Sequence, residues 1–446
     1  ALSPSASAGW RISEEPFFGN AKDLVDNLKL RASFGSLGNQ NVSSYYTYMR
    51  LITNKDFSNY TFDGSIKGKY SSLGAPVASD LTWETAQQWD LGLDLTMLNN
   101  RLNFTGDVYI RDTKDMLTDG MALPGVYGAD SPSMNSAELR TKGYELSVSW
   151  RDQFKLAGKP FEYSVGFNLS DYKSVITKYD NNPNKSLTNL TKGDYYVGME
   201  IGEIWGFKTD GFFKTTEEAQ AYAKEVDLSY SSGRLTGGWM AGDLKFLDLD
   251  GDNIISIGKN TVDDPGDREI IGNSQPRYHY GATLALQWAG IDFSIFFQGI
   301  GRQDWYPAAN ALAFWGPYAR PYATYLPKNF HTQIWSEENP NSYFPRPRGY
   351  VALSGTNREL TAVNDRYLQN IGYCRLKNLT VGYTLPKQWT RKALIESLRI
   401  YFTGENLFTW SGIHSDYIDP EMAATGKDLR LYPWQRTYMF GVDVTF

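Results

Sequence analysis

Three aspartates at alternate positions form the one acidic stretch whose spacing suggests metal chemistry. Asp248, Asp250 and Asp252 match the opening of a calcium loop, in which every second residue supplies an oxygen ligand. Carboxylate oxygens are the ligands that this hard cation prefers. The spacing therefore predicts a candidate calcium site at the start of residues 248–259.

Two departures from the calcium-loop pattern leave the interpretation of residues 248–259 open. Asn253 stands where the turn glycine belongs, and Lys259 replaces the bidentate acid that closes such a loop. Asp263 or Asp264 can supply the missing oxygen, in which case the stretch binds one calcium ion. The alternative is a plain acidic turn. No other cofactor is predicted.

Large aromatic residues crowd one later segment and are the candidates for substrate contact. A flat apolar ring with a polar edge suits sugar rings and peptide side chains alike. The alternative is that these rings form the small core of a large loop or an interface with a partner protein. The candidates are Trp305, Tyr306, Trp315, Tyr318, Tyr322 and Trp335, with Trp410 and Trp434 further along the chain.

The residues with catalytic potential do not form a recognisable enzyme motif. The three histidines, His279, His331 and His414, are far apart in the sequence, and no metalloprotease, nucleophile-elbow or phosphate-loop pattern occurs. Cys374 lies inside an apolar segment beside Arg375, where a structural thiol is expected. The sequence therefore predicts a protein that is not an enzyme.

Composition narrows the class of protein further. Aromatic residues make up 15% of the chain, with 30 Tyr and 41 Gly, which is typical of a β-rich protein. The net charge of −6 has none of the basic character of a nucleic-acid binder. Helical membrane spans are excluded because no run of about 18 uncharged apolar residues occurs.

Alternation of apolar and polar residues is the main structural signal. At the C-terminus, Tyr438, Phe440, Val442, Val444 and Phe446 share one apolar face, and the residues between them share the other. Segments of about ten such residues are the length that a tilted strand needs to cross a bilayer. The pattern predicts eleven strands, near residues 5–12, 28–36, 87–97, 101–112, 140–151, 161–172, 277–288, 290–300, 373–385, 397–409 and 436–446.

The connections between these strands alternate between short and long. The long ones include residues 173–276 and 301–372, whereas the short ones include Asn99-Asn100 and residues 152–160. Short periplasmic turns and long extracellular loops are typical of a transmembrane antiparallel up-and-down β-barrel, so this all-β fold is predicted. A large soluble β-protein with two packed sheets is the alternative. An open sheet in lipid leaves unpaired edges, so we expect further strands, encoded N-terminal to these, to complete the barrel.

Two sets of residues acquire roles on this barrel. Arg399, Glu405 and Asp443 face the lumen and are candidates for lining a pathway or for ion pairing within the barrel. Phe446 is a terminal aromatic on an alternating strand, and we interpret it as a signal for barrel assembly. The alternative for Phe446 is simple anchoring at the membrane interface.

Short motifs follow one another along nearly the whole chain. They are LRASFG at residues 30–35, GN at 38–39, WE at 83–84, LGLD at 91–94, NNRL at 99–102, KDML at 114–117, KGYEL at 142–146, GFKTDG at 206–211, DLDGD at 248–252, IGN at 271–273 with Pro276, YG at 280–281, RLKNL at 375–379 and GENL at 404–407. No single motif is specific, but their order and spacing together resemble those of the SusC/RagA family of TonB-dependent outer-membrane transporters.

The resemblance implies more than the residues alone predict. It implies a barrel of about 22 strands enclosing a plug, of which this chain forms the second half without the plug. It also implies a SusD-like surface lipoprotein as partner, energy from the TonB complex, and import of oligosaccharides across the outer membrane. The same machine importing oligopeptides, a siderophore receptor and a passive porin are the alternatives.

Overall fold

A computed structural model gives the fold, and it describes residues 3–39, 48–62, 64, 66–121, 123–188, 195–232, 238–319, 326, 328–348, 353, 359–425 and 434–446. The main sheet has eleven strands, each antiparallel to its neighbour in the chain. All eleven predicted strands are confirmed. They are β1 Ser5–Arg11, β2 Val25–Asn39, β3 Glu84–Met97, β4 Leu102–Asp119, β5 Ser133–Leu156, β6 Lys159–Tyr179, β7 Arg277–Trp288, β8 Ile291–Arg302, β9 Tyr373–Thr384, β10 Ser397–Ser411 and β11 Thr437–Thr445.

The two faces of the sheet differ in polarity because the strands align in register. Leu284 of β7 lies between Val165 of β6 and Ile295 of β8, and rows like this one define the apolar face. On the opposite, polar face, Gln287 lies between Glu162 and Asp292. Among the residues that the structure describes, the apolar face is left open to the surroundings, as at Phe440 and Val442 on β11, which have 83% and 59% of their surface exposed.

Strands β4, β5 and β6 extend well beyond their predicted ends. β5 spans 24 residues, whereas the alternation predicted only 140–151. The added length lies beyond the apolar band, where polar and apolar residues are mixed on both faces and the alternation disappears. Pairing continues there through contacts such as the 2.6 Å hydrogen bond between the hydroxyls of Thr118 and Ser136. The long connections accordingly begin later than predicted, at residues 180 and 303.

One end of the sheet, the turn end, has tight connections. Residues 152–160 were predicted as a connection, but only Ala157 and Gly158 form the turn, with φ values of 50° and 78°. Ala289 and Gly290, with φ values of 55° and 90°, form a similar turn between β7 and β8. Two consecutive residues with positive φ suit the twist of the flanking strands. The connection after β1 holds the 3₁₀ helices Ile12–Glu14 and Pro16–Asp23, and that before β10 holds the helices Lys387–Thr390 and Arg391–Ala393.

The opposite end, the loop end, carries the long connections, which contain structure of their own. The first connection forms a hairpin from strands Ile52–Phe62 and Ile66–Leu73, and the one after β4 holds a 3₁₀ turn at Gly125–Tyr127. The described parts of residues 180–276, 303–372 and 412–425 pack together, and we call them the loop domain. Its strand pairs are Glu203–Phe207 with Arg268–Asn273, Thr209–Phe212 with Leu244–Phe246, and Asp304–Trp305 with Gln369–Asn370.

Short helices complete the loop domain. The longest, Thr216–Glu225, begins at Thr215, whose hydroxyl accepts a hydrogen bond from the backbone N–H of Glu218. The carboxylate of Glu218 accepts in turn from the N–H of Lys214. The other helices are Ser229–Ser232, Leu312–Trp315, Gly316–Tyr318, Phe330–Gln333 and Pro420–Ala423. Within the described residues, no helix is long and apolar enough to cross a membrane.

Candidate functional site

Three of the predicted substrate-contacting rings lie in the core of the loop domain. Trp315, Tyr318 and Trp335 are 0%, 1% and 5% exposed. The Trp315 ring packs edge-on against Tyr367 with their centroids 5.2 Å apart, and the Tyr318 hydroxyl donates to the backbone oxygen of Pro345 at 2.6 Å. Burial leaves these rings no free face for a ligand. The structure therefore does not support substrate contact at these three positions, and supports the alternative of a core within the loops.

Trp305 and Tyr306 lie at the edge of the same core. The Tyr306 hydroxyl donates to the backbone oxygen of Leu360 at 2.8 Å, which fixes the side chain against the core. Burial of this hydroxyl raises the pKa of Tyr306. Trp305 is only partly buried, and its ring meets Phe314 edge-on at 6.3 Å. Both side chains are partly exposed, but the Tyr306 hydroxyl is engaged in the core, so Trp305 is the better candidate for contact with a ligand.

The remaining aromatic candidates are dispersed. Trp410 stacks on Phe408 with their centroids 6.1 Å apart and lies near Phe297 of the apolar face, so it belongs to that face. Trp434 is 48% exposed and has the Lys377 ammonium 4.9 Å above its ring. Tyr322 lies outside the described residues.

The acidic stretch brings together a different set of carboxylates from the predicted one. Carboxylate oxygens of Asp248, Asp250 and Asp267 lie within 4.8 Å of one another, and Asp252 is outside this group. Asp252 instead accepts a hydrogen bond from the backbone N–H of Ile254. Burial, reinforced by the charges of Asp250 and Asp248, raises the pKa of Asp267.

Each carboxylate of this group also stabilises the turn directly. Asp248 accepts from the N–H groups of Gly251 and Asn253, and Asp267 accepts from those of Leu249 and Ser256. Asp263 and Asp264, the two residues considered as sources of the missing calcium ligand, form ion pairs instead. Asp264 lies 3.4 Å from Lys259, and Asp263 lies 3.8 Å from Lys185. The contacts account for the plain acidic turn, and calcium binding stays a prediction.

Ion pairs line the polar face of the sheet. Arg399 lies between Asp292 and Asp443, at 2.6 Å and 3.1 Å, so two of the predicted lumen residues are engaged with each other. Glu405, the third, has no ion-pair partner among the described residues. At the other side of the sheet, Arg31 bridges Asp94 and Asp107 in the same manner. The wall is therefore polar, and part of its charge is neutralised by these local ion pairs.

Two buried charged clusters escaped the sequence reasoning. Arg375 is fully buried and pairs with Asp419 and Glu421 at 2.7 Å and 2.9 Å, which ties β9 to the last long connection. The acids follow the arginine by more than forty residues, as the separations of 44 and 46 show. The sequence offers no local signal for such a pairing, because its partners meet only after folding.

The second cluster surrounds Glu359 inside the loop domain. One Glu359 oxygen accepts from the backbone N–H of Leu244 at 2.7 Å, and the other has no hydrogen-bond partner within the described part of the chain. Asp243, itself paired with Arg348, lies nearby. Burial first, and then the charge of Asp243, raises the pKa of Glu359 to about 8. This carboxyl is thus largely protonated at neutral pH.

The comparison with protein families decides the class of the chain. The sequence profile described as "TonB dependent receptor-like, beta-barrel" matches residues 1–407. The chain belongs to this family. It is a family of outer-membrane β-barrel receptors, which agrees with the meander and its two contrasting faces.

Individual relatives extend along the whole chain. TonB-dependent receptor P3 of Formosa agariphila is 29% identical over 100% of the chain and 42% of the relative, and TonB-dependent receptor SusC of Bacteroides thetaiotaomicron is 26% identical over 99% of the chain and 40% of the relative. The chain thus spans about two-fifths of the length of the curated relatives it matches. The resemblance to the SusC/RagA group is confirmed.

Solved structures show the same fold. The RagAB peptide importer in its open-open state matches with a TM-score of 0.72 and 21% identity, over 99% of the chain and 42% of that structure. The closed-closed state of the same importer matches with a TM-score of 0.68 and 22% identity, over 100% of the chain and 44% of that structure. The eleven-stranded sheet is therefore a partial barrel of this fold, and it is not closed within this chain.

Proposed function

We propose that the receptor containing this chain imports nutrient oligomers actively across the outer membrane. In this proposal a SusD-like surface lipoprotein captures the cargo at the loop end and the TonB complex supplies the energy. The observation that carries the proposal is a meander with an uncovered apolar face and an ion-paired polar face, matched along its length by TonB-dependent receptors, SusC among them. In this proposal the chain acts as a wall of the barrel and as a binding surface.

The chain's residues have three tasks in this proposal. The apolar face contacts the lipid around the barrel, where exposed Phe440 and its neighbours suit acyl chains. The polar face presents arginines whose charge is neutralised by adjacent carboxylates, as at Arg399, which limits strong trapping of a passing cargo. The described part of the loop domain packs around an aromatic core, and in this proposal it offers a platform for cargo and partner.

The class of cargo is proposed as oligosaccharide first and oligopeptide second. The observation that favours sugars is the abundance of loop aromatics. Of the five candidate rings of residues 305–335 that the structure describes, three are core residues, so this support depends mainly on Trp305. The observation that favours peptides is that the solved structural neighbours are described as a peptide importer. A siderophore receptor and a passive porin remain outcomes that the experiment distinguishes.

The test is gentle detergent extraction of the tagged full-length receptor from native outer membrane, followed by mass spectrometry of retained proteins and small molecules. Recovery of a surface lipoprotein together with a sugar or peptide oligomer is expected. An iron chelate without a lipoprotein would replace the proposal by a siderophore receptor. A trimer without lipoprotein or oligomer would replace it by a porin.

Contact with the cargo is tested at Trp305, whose side chain is partly exposed. Trp305→Ala is expected to reduce the amount of retained oligomer severalfold while the lipoprotein is still recovered. Trp410→Ala is the matched control, since that ring belongs to the apolar face. Equal retention by both variants would remove Trp305 from the proposed cargo site.

A further inference from the structure

Basic residues appear on the apolar face of β5 and β6 where its apolar run ends. On β5 the apolar run comprises Trp150, Val148, Leu146 and Tyr144, and the next two positions on this face are Lys142 and Arg140. On β6 the run ends at Leu169, and Lys173 follows two positions further along the same face. These lysines lie toward the loop end, which faces outward in a barrel with short periplasmic turns.

The two lysines face each other directly. Lys142 and Lys173 are cross-strand partners in the β5–β6 pairing. Like charges in directly opposite positions destabilise a sheet. Lys173 is partly neutralised by Glu200 at 3.0 Å, whereas Lys142 is exposed and has no ion-pair partner among the described residues. The arrangement leaves a positive charge that an external anion would neutralise.

The neighbouring charges do not cancel this excess. Arg140 is engaged by Asp112 at 2.6 Å, and Asp171 is engaged by Arg277. Four cations thus meet three carboxylates in the cluster, because Lys173 and Arg277 share Glu200. Lys114, on the same face of β4, adds further positive charge near Asp112.

The cluster borders a groove that opens beside the apolar band. The groove has a volume of about 560 Å³, and Val108, Tyr144 and Val175 contribute apolar or aromatic surface to it. Arg140, Lys142 and Lys173 lie along the same groove. A ligand bound in the groove can place an anionic group beside the ammonium groups while its acyl chains lie along the apolar face.

We propose that this groove, defined by Lys142 and Lys173 with Arg140 at its rim, binds the phosphate group of an anionic glycolipid in the outer leaflet. Lysine suits this position because its methylene stem packs along apolar surface while the ammonium reaches the headgroup level. Each ammonium forms charge-assisted hydrogen bonds with phosphate oxygens. A bound phosphate reduces the repulsion between the two lysines and anchors this side of the barrel in its membrane. Basic pockets on the membrane-facing surface are a general mode of headgroup recognition.

The test uses the full-length receptor in nanodiscs that contain phosphorylated lipid A, with retained lipid counted by native mass spectrometry. The double variant Lys142→Gln and Lys173→Gln is expected to retain lipid A roughly tenfold more weakly than the natural protein. Lys159→Gln is the matched control, because Lys159 is an exposed lysine at the turn end of β6. Its retention of lipid A is expected to be unchanged.

A second arm isolates the phosphate as the recognised group. The natural protein is expected to retain dephosphorylated lipid A weakly. This retention should match the weak retention of phosphorylated lipid A by the double variant. Heat-modifiable electrophoretic migration checks that every variant is folded. Equal retention of lipid A by the double variant and Lys159→Gln, or equal retention of the two lipids by the natural protein, would overturn the proposal.

Discussion

Glycines of the polar face make room for the side chains that neutralise one another there. A Cβ atom at Gly92 would lie 2.3 Å from the carboxylate of Asp107 and 2.6 Å from the guanidinium carbon of Arg31. The same arrangement recurs at Gly382, where a Cβ would lie 2.5 Å from Asp292. The ion pairs of the wall therefore depend on residues that have no side chain of their own.

Gly92→Ala is expected to destabilise the barrel by about 1–3 kcal/mol, because Arg31 and Asp107 must move to admit the methyl group. The measurement is the temperature at which the receptor loses its heat-modifiable migration. Gly35→Ala is the control on the neighbouring strand, since a Cβ there meets nothing within 4 Å. Identical temperatures for the two variants would show that the ion pair relaxes without cost.

Glu359 makes the loop domain sensitive to pH in a defined direction. Burial raises its pKa to about 8 from an ordinary value of 4.5, so the folded state favours the protonated form. The stability contributed by this preference is fully present below about pH 4.5 and is lost progressively as the pH rises from there to about 8. Asp243 opposes the charge on Glu359, and Arg348 partly compensates it.

Glu359→Gln removes this titration while the side-chain oxygen can still accept from Leu244. In the natural protein, protease resistance of the outer loops is expected to fall between about pH 5 and about pH 8, the interval between the unfolded and folded pKa values of Glu359. In Glu359→Gln the resistance is expected to stay constant over that range. Glu217→Gln, at an exposed helical glutamate, is expected to keep the fall. A constant profile in the natural protein would contradict the assignment.

At the level of elements, the sequence predicts what short-range periodicity encodes. All eleven strands were found because one face of each carries an apolar run, as Val165 and Phe167 do on β6. The loop-end extensions of β4 to β6 are not predicted, because polar and apolar residues are mixed on both faces there. The loop domain was not predictable in detail, since its core joins Trp315 to Tyr367, which lie far apart in the sequence.

The same limit explains the outcome for the candidate site. Aromatic content identified the right segment but not which rings are buried, because burial is decided by partners such as Phe344, which contacts Trp315 and Tyr318. Ion pairs such as that of Arg31 with Asp107, 76 residues apart, were invisible for the same reason.

Trp315→Ala tests whether the loop domain folds on an aromatic core distinct from the sheet. Loss of this fully buried ring is expected to cost about 3–5 kcal/mol. The loops should become protease-sensitive at the cell surface while heat-modifiable migration of the barrel persists. Trp389→Ala, at a 61% exposed ring near the turn end, should change neither property. Simultaneous loss of the barrel would show that loops and sheet form one cooperative unit.

At the scale of the whole molecule, the barrel must be inserted into the membrane and must be stable once it is there. Phe446 is the residue at which these two requirements can be tested separately. It follows β11 and is 89% exposed, so it contributes little packing to the sheet. A role in recognition by the assembly machinery predicts a defect in cells, whereas interfacial anchoring predicts a defect in any bilayer.

Phe446→Ala is therefore expected to lower the amount of folded receptor in the outer membrane severalfold while leaving its unfolding temperature after refolding into lipid vesicles unchanged. Val444→Ala is the matched control, since it shortens a side chain on the apolar face of the same strand. That control is expected to leave the cellular level nearly intact, because one smaller apolar contact with lipid has a modest effect on stability. A lower unfolding temperature for Phe446→Ala in vesicles, in proportion to its cellular loss, would instead assign the residue to anchoring.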